Sequence, residues 1–322
     1  MRRVVLLLVL SARLAWGVET DFTAPGPFPV GYTEIDLTTS SVTTGEPRLL
    51  HTLVWYPAVE GTGKATGALL TDADVARGRF PFVAFSHGSC GTPNQSPFLM
   101  TALASRGMII AAPPHPGNTF IANFSCMQPD HIADAFQNRP ADIRFVIDAF
   151  LAFGRDKSSR FFRHVHPKRI GISGHSFGGQ TTLRVAAADR RIRAALALAP
   201  ASPPSDLPPI KAPLMVMTGE IDSLTPFETD ARPAYALGRG PRFLIEILNA
   251  GHCAFIPGCI TLVCGAGCEP TNLPTPQANA LVVRYGVPFL ERYLAGLRSV
   301  TKLLQPAAAP SGIVVETAKP GR

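Results

Sequence analysis

Arg169-Ile170-Gly171-Ile172-Ser173-Gly174-His175-Ser176-Phe177-Gly178-Gly179-Gln180 is the stretch whose reading decides the fold of this chain. Arg169 to Ser173 reads as a strand covered on both faces, because its apolar residues do not alternate with polar ones. Thr181 to Ala188 reads as a helix. Between them, Gly174, Gly178 and Gly179 flank Ser176 with residues that have no side chain to block a tight turn. Strand, sharp turn and helix in direct succession hold a serine hydroxyl out at the edge of a sheet. The Phe177 N–H, at the start of that helix, then faces any negative charge that develops beside the hydroxyl.

Working outward, further strand candidates are Tyr32–Thr38, Leu49–Tyr56, Phe80–Ser86, Met108–Ala112, Ala194–Ala199, Leu214–Thr218 and Phe243–Leu248. Helix candidates lie among them: Phe98–Ser105, a segment opening at Pro140, and Ala278–Leu297. Ile143, Val146, Ile147 and Phe150 carry the i, i+3, i+4, i+7 spacing of a buried helix face. Strands alternating with helices predict βαβ units, hence an α/β domain with a mostly parallel, doubly wound sheet of eight strands. The connection from Pro113 to Asn138 reads as a long polar loop. The Pro-rich stretch from Ala199 to Leu214 leaves no room for a large cap domain.

The ends of the chain read differently. Arg2 and Arg3 precede the apolar run Val4 to Leu10, and Ala15-Trp16-Gly17 offers small residues where a signal peptidase reads. Residues 1–17 are therefore expected to be a signal peptide, 18–304 one catalytic domain, and 305–322 a flexible tail. The leader run is too short to cross a bilayer, and no later segment is long enough, so no integral membrane segment is expected once the leader is gone. The chain carries a net charge of +7, of which Arg2, Arg3 and Arg13 supply three. The remaining basic residues form no block, which argues against nucleic acid as a partner. Six cysteines on an exported, secreted or periplasmic chain point to disulfides. Cys253, Cys259, Cys264 and Cys268 lack the paired C-x-x-C spacing of a zinc site.

A serine hydroxyl needs a base, and in this topology the acid and then the histidine follow in the chain. Gly219-Glu220-Ile221-Asp222 follows one strand and Asn249-Ala250-Gly251-His252 follows the next. Asp222 is the expected acid, with Glu220 its competitor, and His252 the expected base. The second oxyanion donor should come from His87-Gly88-Ser89, after an earlier strand, making the Ser89 amide the candidate beside that of Phe177. His87 and His175 are expected to brace loops, and His115 either to line the substrate pocket or to be an exposed loop residue.

The segments VAFSHGSCG, LASRGMIIAAPPHPGNT, NRPADIRFVIDAF, IGISGHSFGGQTT, TGEIDSLTP and NAGHCAFIPGC resemble those of bacterial α/β hydrolases. The similarity is to the groups described as dienelactone-hydrolase-like or platelet-activating-factor-acetylhydrolase-like, over roughly Phe80 to Leu297. PET-degrading cutinase-like enzymes look like more distant relatives, with Met after the nucleophile where this chain has Phe177. The resemblance implies the α/β-hydrolase fold and a serine esterase without metal or organic cofactor. It assigns Ser176, Asp222 and His252 as the triad and the Ser89 and Phe177 amides as the oxyanion hole. Dienelactone hydrolases themselves use Cys where Ser176 stands. The implied partner is an ester, either a small molecule or a lipid or polyester. Alternatives are a polyester hydrolase, an amidase or peptidase, or a non-catalytic binding protein on the same scaffold.

The Gly-rich stretch from Gly258 to Gly267 has little apolar content to hold it, yet it begins just after the expected base. Cys259 is therefore predicted to pair locally, with Cys268 or Cys264, as a cysteine after the histidine in related hydrolases also suggests. Cys90 with Cys126 is the second expected pair, and the partner of Cys253 is left open.

Overall fold

A computed structural model describes residues 21–120, 125–258, 264, 268–269 and 272–319. The expected leader, residues 1–17, lies outside the described residues. Six parallel strands make the centre of one sheet: β5 (Phe80–Ser86), β6 (Ile109–Ala112), β7 (Val165–His175), β8 (Ile192–Leu198), β9 (Leu214–Gly219) and β10 (Arg242–Ile247). On one side the sheet continues through the antiparallel pair β1 (Val30–Ser40) and β2 (Pro47–Pro57) and the short β3 (Lys64–Thr66) and β4 (Leu69–Thr71). The order is β11-β10-β9-β8-β7-β5-β6-β2-β1-β4-β3, with β11 spanning Ile313–Ala318. The described sheet therefore has eleven strands where eight were expected, the extra three being β3, β4 and β11.

Helices cover both faces, which is why the central strands carry few polar residues. Along β5, Val83 and Phe85 pack with Leu99, Leu103, Val282 and Phe289 of α1 (Pro97–Ser105) and the closing helix (Thr275–Leu290). Phe82 and Ala84 turn to the other face and meet Ile143, Val146 and Phe150 of α2 (Pro129–Phe153) and Leu183 of α3 (Phe177–Ala188). A short α4 (Arg232–Ala236) lies between β9 and β10, so the closing helix is α5.

Three expectations about the elements need correction. Pro140 sits inside α2, which begins eleven residues earlier at Pro129, so the last part of the expected loop, from Pro129 on, is helix. Proline lacks the N–H that would bond the carbonyl four residues back, and that carbonyl, on Phe136, accepts instead from Arg184 Nη1 of α3. The Arg184 guanidinium also lies 3.9 Å from the centroid of the Phe136 ring. The expected Ala278–Leu297 helix ends its regular course at Leu290 and continues as a wider turn, Glu291–Ala295.

The tail is not loose. β11 pairs antiparallel with β10 from Ile247↔Ile313 to Arg242↔Ala318, and Ile313 and Val315 are buried while Val314 and Glu316 are exposed. The sheet thus takes in the chain as far as Ala318, past the expected domain boundary at residue 304. No described helix is long and apolar enough to cross a membrane.

Candidate active site

The site forms where β5, β7, β9 and β10 end, at the C-terminal edge of the parallel strands, the usual position for function in open α/β sheets. Ser176 joins β7 directly to α3 with φ 58° and ψ −119°, a conformation L side chains rarely adopt. Gly174 and Gly178 make this possible. A Cβ on Gly174 would collide with the Gly178 carbonyl, and one on Gly178 with the Ser86 carbonyl of β5. The elbow is further held by Ser176 N–H donating to Leu198 O at 2.9 Å and Ala201 N–H donating to Ser176 O at 3.1 Å.

Asp222 and His252 meet across the loops after β9 and β10, with His252 Nδ1 2.7 Å from Asp222 Oδ2. Both are buried. Asp222 Oδ1 accepts the Leu224 and Thr225 N–H groups at 2.9 Å each, and Oδ2 accepts the Thr225 hydroxyl at 2.8 Å. Burial by itself would raise the Asp222 carboxyl. The hydrogen bond and attraction to His252, followed by the Thr225 donors, outweigh burial and hold it below the usual carboxylate range. Asp222 is therefore ionised at neutral pH, and it leaves Nδ1 of His252 as the donor and Nε2 for the substrate side.

His252 is steadied from two sides. His175 Nε2 donates to the His252 carbonyl at 3.2 Å, with the two rings 4.5 Å apart. Burial, then the neighbouring His252, push the His175 pKa down to about 3, so it is neutral in use. On the far side, Asn279 Nδ2 of α5 donates to Ala254 O at 2.7 Å and Ile256 O at 3.0 Å, and Ser96 Oγ donates to Phe255 O at 2.7 Å. Among the described residues no hydrogen bond links the Ser176 hydroxyl to His252, a contact that in unliganded hydrolase sites often tightens only with substrate.

Glu220, the competing acid, points elsewhere: its Oε2 accepts the Asn249 N–H at 2.8 Å, shaping the turn before His252. The loop after β5 lies against the elbow, since a Cβ on Gly88 would come within 3.3 Å of Ser176 Cβ. The Phe177 N–H opens α3 and has no intrahelical acceptor.

His115 does not line a pocket. It is fully buried beneath the β5 loop, with Nε2 2.8 Å from Ser86 Oγ and Nδ1 3.0 Å from Asp142. Burial, then Arg139 and Arg48, hold it neutral, well below the ordinary histidine range. Asp142 is bound in turn by Arg48, through Nε at 3.1 Å and Nη2 at 2.9 Å. His87 is equally buried and braces its own loop, with Nδ1 2.7 Å from Gly88 O and Nε2 3.1 Å from Thr119 Oγ1. Sequence reasoning missed Arg139, Asp142 and Thr225. A signal was present for the first two: both fall on the apolar stripe that carries Ile143 and Val146, where an ion must find buried partners. Burial, the largest influence, draws the Arg139 pKa down to about 9.

Cys90 and Cys126 are joined, as expected. Cys264 pairs with Cys253, which corrects its candidacy as partner of Cys259 and answers the question left open for Cys253. Cys268 is also disulfide-bonded, while Cys259 lies outside the described residues. The Cys253, Cys264 and Cys268 sulfurs lie within 4.8 Å of one another, but disulfide bonding withholds them from a metal.

Comparison with known proteins agrees with this geometry. A family model described as "PETase: PET hydrolase-like" matches residues 117–265. Cutinase 2 of Thermobifida cellulosilytica is 26% identical over 226 residues, 70% of this chain and 72% of that protein. Cutinase cut1 of Thermobifida fusca is 26% identical over the same share of this chain, which there spans only 59% of the relative. Bis(hydroxyethyl) terephthalate hydrolase of Streptomyces coelicolor is 23% identical over 257 residues, 79% of this chain and 70% of that protein. With helices on both faces of a mostly parallel sheet and a serine on a strained strand-to-helix turn, the chain has the α/β architecture of the α/β-hydrolase fold, and over residues 117–265 it is similar to the PET hydrolase-like family.

Proposed function

We propose that this chain is a serine hydrolase of carboxylic esters in which Ser176 is the nucleophile, His252 the general base and Asp222 its orienting acid. The observation that carries this is the 2.7 Å contact between Asp222 and His252 Nδ1 at the same sheet edge as the strained Ser176 elbow. His252 Nε2 takes the Ser176 proton as Oγ bonds to the ester carbonyl carbon. The carbonyl oxygen becomes negative and is received by the Ser89 and Phe177 amides. As the C–O bond to the alcohol breaks, His252 returns the proton to the leaving oxygen. Water then repeats the sequence on the acyl-enzyme and releases the acid. Every step moves a proton through His252, and the ionised Asp222 stabilises the imidazolium each time.

Exposed apolar residues near the expected acid and oxyanion donor bear on the substrate class. Leu224, two residues beyond Asp222, is 50% exposed, and Met127, whose sulfur lies 3.9 Å from Ser89 Oγ, is 57% exposed. Apolar side chains open to solvent beside a reactive group favour esters with apolar parts. They support polyester as a second reading, in line with the cutinase and terephthalate-ester hydrolase names of the relatives. The quoted motifs support the platelet-activating-factor-acetylhydrolase-like and dienelactone-hydrolase-like groups as the finer placement. The disulfides support a secreted or periplasmic location.

The deciding experiment pairs a fluorophosphonate probe with ester turnover. Wild type should be labelled on Ser176, and Ser176→Ala should lose both the label and on the order of 10⁶ in kcat while remaining folded. Appreciable esterase activity in folded Ser176→Ala removes the mechanism. A panel varied separately in acid and alcohol, with polymer film beside short aryl esters and peptides, separates the substrate classes.

A further inference from the structure

Arg139 lies fully buried under the loop that follows β5; its Nη donors go to uncharged groups, and its Nε has no hydrogen-bond partner among the described residues. Nη1 donates to His87 O at 2.6 Å, and Nη2 donates to Gly88 O at 3.0 Å and to Asn118 Oδ1 at 2.7 Å. The nearby carboxylate, Asp142, is bound by Arg48 and His115 instead. Burying a guanidinium against neutral partners is costly, so packing alone is a poor reason for it.

The consequence lies on the opposite side of each peptide. All described peptide bonds are trans, so an N–H points away from its own carbonyl. The His87–Gly88 unit has its oxygen on Arg139 and its N–H on Gln95 Oε1, at 2.6 Å. The next unit, Gly88–Ser89, also has its oxygen on Arg139, beside His87 Nδ1 at 2.7 Å and the Gly91 N–H at 3.0 Å, so the Ser89 N–H is turned to the face away from Arg139. Gly88 lies against the elbow, since a Cβ placed on it would come within 3.3 Å of Ser176 Cβ. The same guanidinium lies 4.6 Å from the centroid of the Phe177 ring, whose backbone N–H is the other candidate donor.

We propose that Arg139 is a positioning residue of the oxyanion hole, a group that reaches both the Gly88–Ser89 peptide and the Phe177 ring. It fixes the Gly88–Ser89 peptide with its N–H toward the reacting carbonyl, and it steadies Phe177 through its ring. Hydrogen bonds to the carbonyl of a peptide also polarise its N–H, which strengthens the donor. The inference rests on the ester-hydrolase reading above and adds to it how the hole is kept in one orientation. Arg139 touches no reacting atom, so its loss should affect transition-state stabilisation more than substrate binding.

The test uses Arg139→Lys, which keeps the charge and part of the donor set, beside Arg48→Lys, a change in the same buried lattice that reaches neither Gly88 nor Phe177. Three quantities are read: kcat and KM on a short-chain ester, the infrared carbonyl band of a slowly deacylating acyl-enzyme, and Tm. Arg139→Lys should lower kcat about tenfold to a hundredfold, approaching the loss of a whole oxyanion donor, with KM within about threefold. Its acyl carbonyl band should move to higher frequency as the hydrogen bonds to that oxygen weaken. Arg48→Lys should lower Tm while leaving kcat and the band in place. Wild-type kcat and band position in folded Arg139→Lys would overturn the proposal, as would an equal loss and shift in Arg48→Lys.

A measurement on unaltered protein holds even where a variant misfolds. In a crystal of the wild-type phosphonate adduct, Ser89 N should lie about 3 Å from the phosphonyl oxygen while Gly88 O stays about 3 Å from Arg139 Nη2. A flipped Gly88–Ser89 peptide in that adduct overturns the proposal. An active wild type with an indifferent Arg139→Lys sinks this inference alone. A wild type that neither turns over esters nor labels at Ser176 sinks the reading beneath it.

Discussion

The loops after β5 and β10 approach Ser176 from two sides, and they are held in place by opposite strategies. The β5 loop gathers on one buried cation: Arg139 takes the carbonyls of His87 and Gly88 together, with His87 Nδ1 and Gln95 as lesser supports. The β10 loop is held by neutral donors from three elements, His175 on His252 O, Ser96 on Phe255 O and Asn279 on Ala254 O and Ile256 O. The difference matches what each loop has to present. An amide donor is oriented once its peptide plane is set, which one bidentate group can do. A base needs its ring, its tautomer and its backbone all fixed, and that takes several partners. Concentrated support should fail at one substitution, and distributed support should fail by degrees.

The largest expected effect tests the tautomer on the β10 side. Asp222→Asn should lower kcat by about 10⁴, because an amide cannot hold Nδ1 protonated and stabilise the imidazolium. Glu220→Gln should stay within a few fold, since Glu220 serves only the Asn249 turn. A Glu220→Gln enzyme weaker than Asp222→Asn would transfer the acid role two residues upstream.

The disulfides separate stability from catalysis. Cys90–Cys126 spans 36 residues and Cys253–Cys264 spans 11. Loop-closure entropy alone then makes the first the stronger staple, about 3.8 against about 2.8 kcal/mol. Cys253 is the neighbour of His252, so replacing Cys253 and Cys264 with Ala should lower kcat more and Tm less than the same change at Cys90 and Cys126. Denaturation midpoints beside kcat read both. A larger kcat loss at the Cys90 pair would mean that the oxyanion side, not the base, is the looser of the two.

Acid should weaken the β5 side more than the β10 side. His87 and His115 there, and His175 beside His252, are all held neutral by burial, His175 with a pKa of about 3. Unfolded, each would take up a proton near pH 6.5. The unfolded state then binds more protons, so stability falls as pH drops below about 6.5, by up to roughly 1.4 kcal/mol per pH unit for each histidine. Urea unfolding between pH 7 and pH 5 should show this slope, reduced by about one proton in His115→Asn and by about one in His175→Asn. A slope indifferent to both substitutions would show that these rings are already protonated in the folded protein.

The smallest effect probes the distributed support directly. Ser96→Ala and Asn279→Ala should each cost about 1–2 kcal/mol of stability through an unpaired carbonyl and change kcat only severalfold. A collapse of kcat in either one would mean that the β10 loop also depends on a single anchor.

The central strands were legible because a strand buried on both faces must be apolar throughout, and Phe80–Ser86 and Leu214–Gly219 are so. β11 escaped notice because its apolar alternation is only a few residues long and follows an Ala- and Pro-rich stretch. Its strand state comes from the unpaired edge of β10. Pro140 suggested a helix start on local grounds, and the Arg184 side chain of another helix made a helix interior possible there.

By itself the sequence determined the alternation of strands and helices, the glycines that let Ser176 sit on a strained turn, and the chain order of Ser176, Asp222 and His252. These follow from local sterics and from a topology that sends successive loops to one sheet edge. Only the tertiary structure decided that Asp222 rather than Glu220 meets His252, that His115 is a buried brace, that Cys253 pairs with Cys264, and that Arg139 lies under the oxyanion loop. Apart from the short Cys253–Cys264 link, each of these is a contact between residues far apart in sequence, whose partners are set by how the helices pack across the sheet and not by any spacing along the chain.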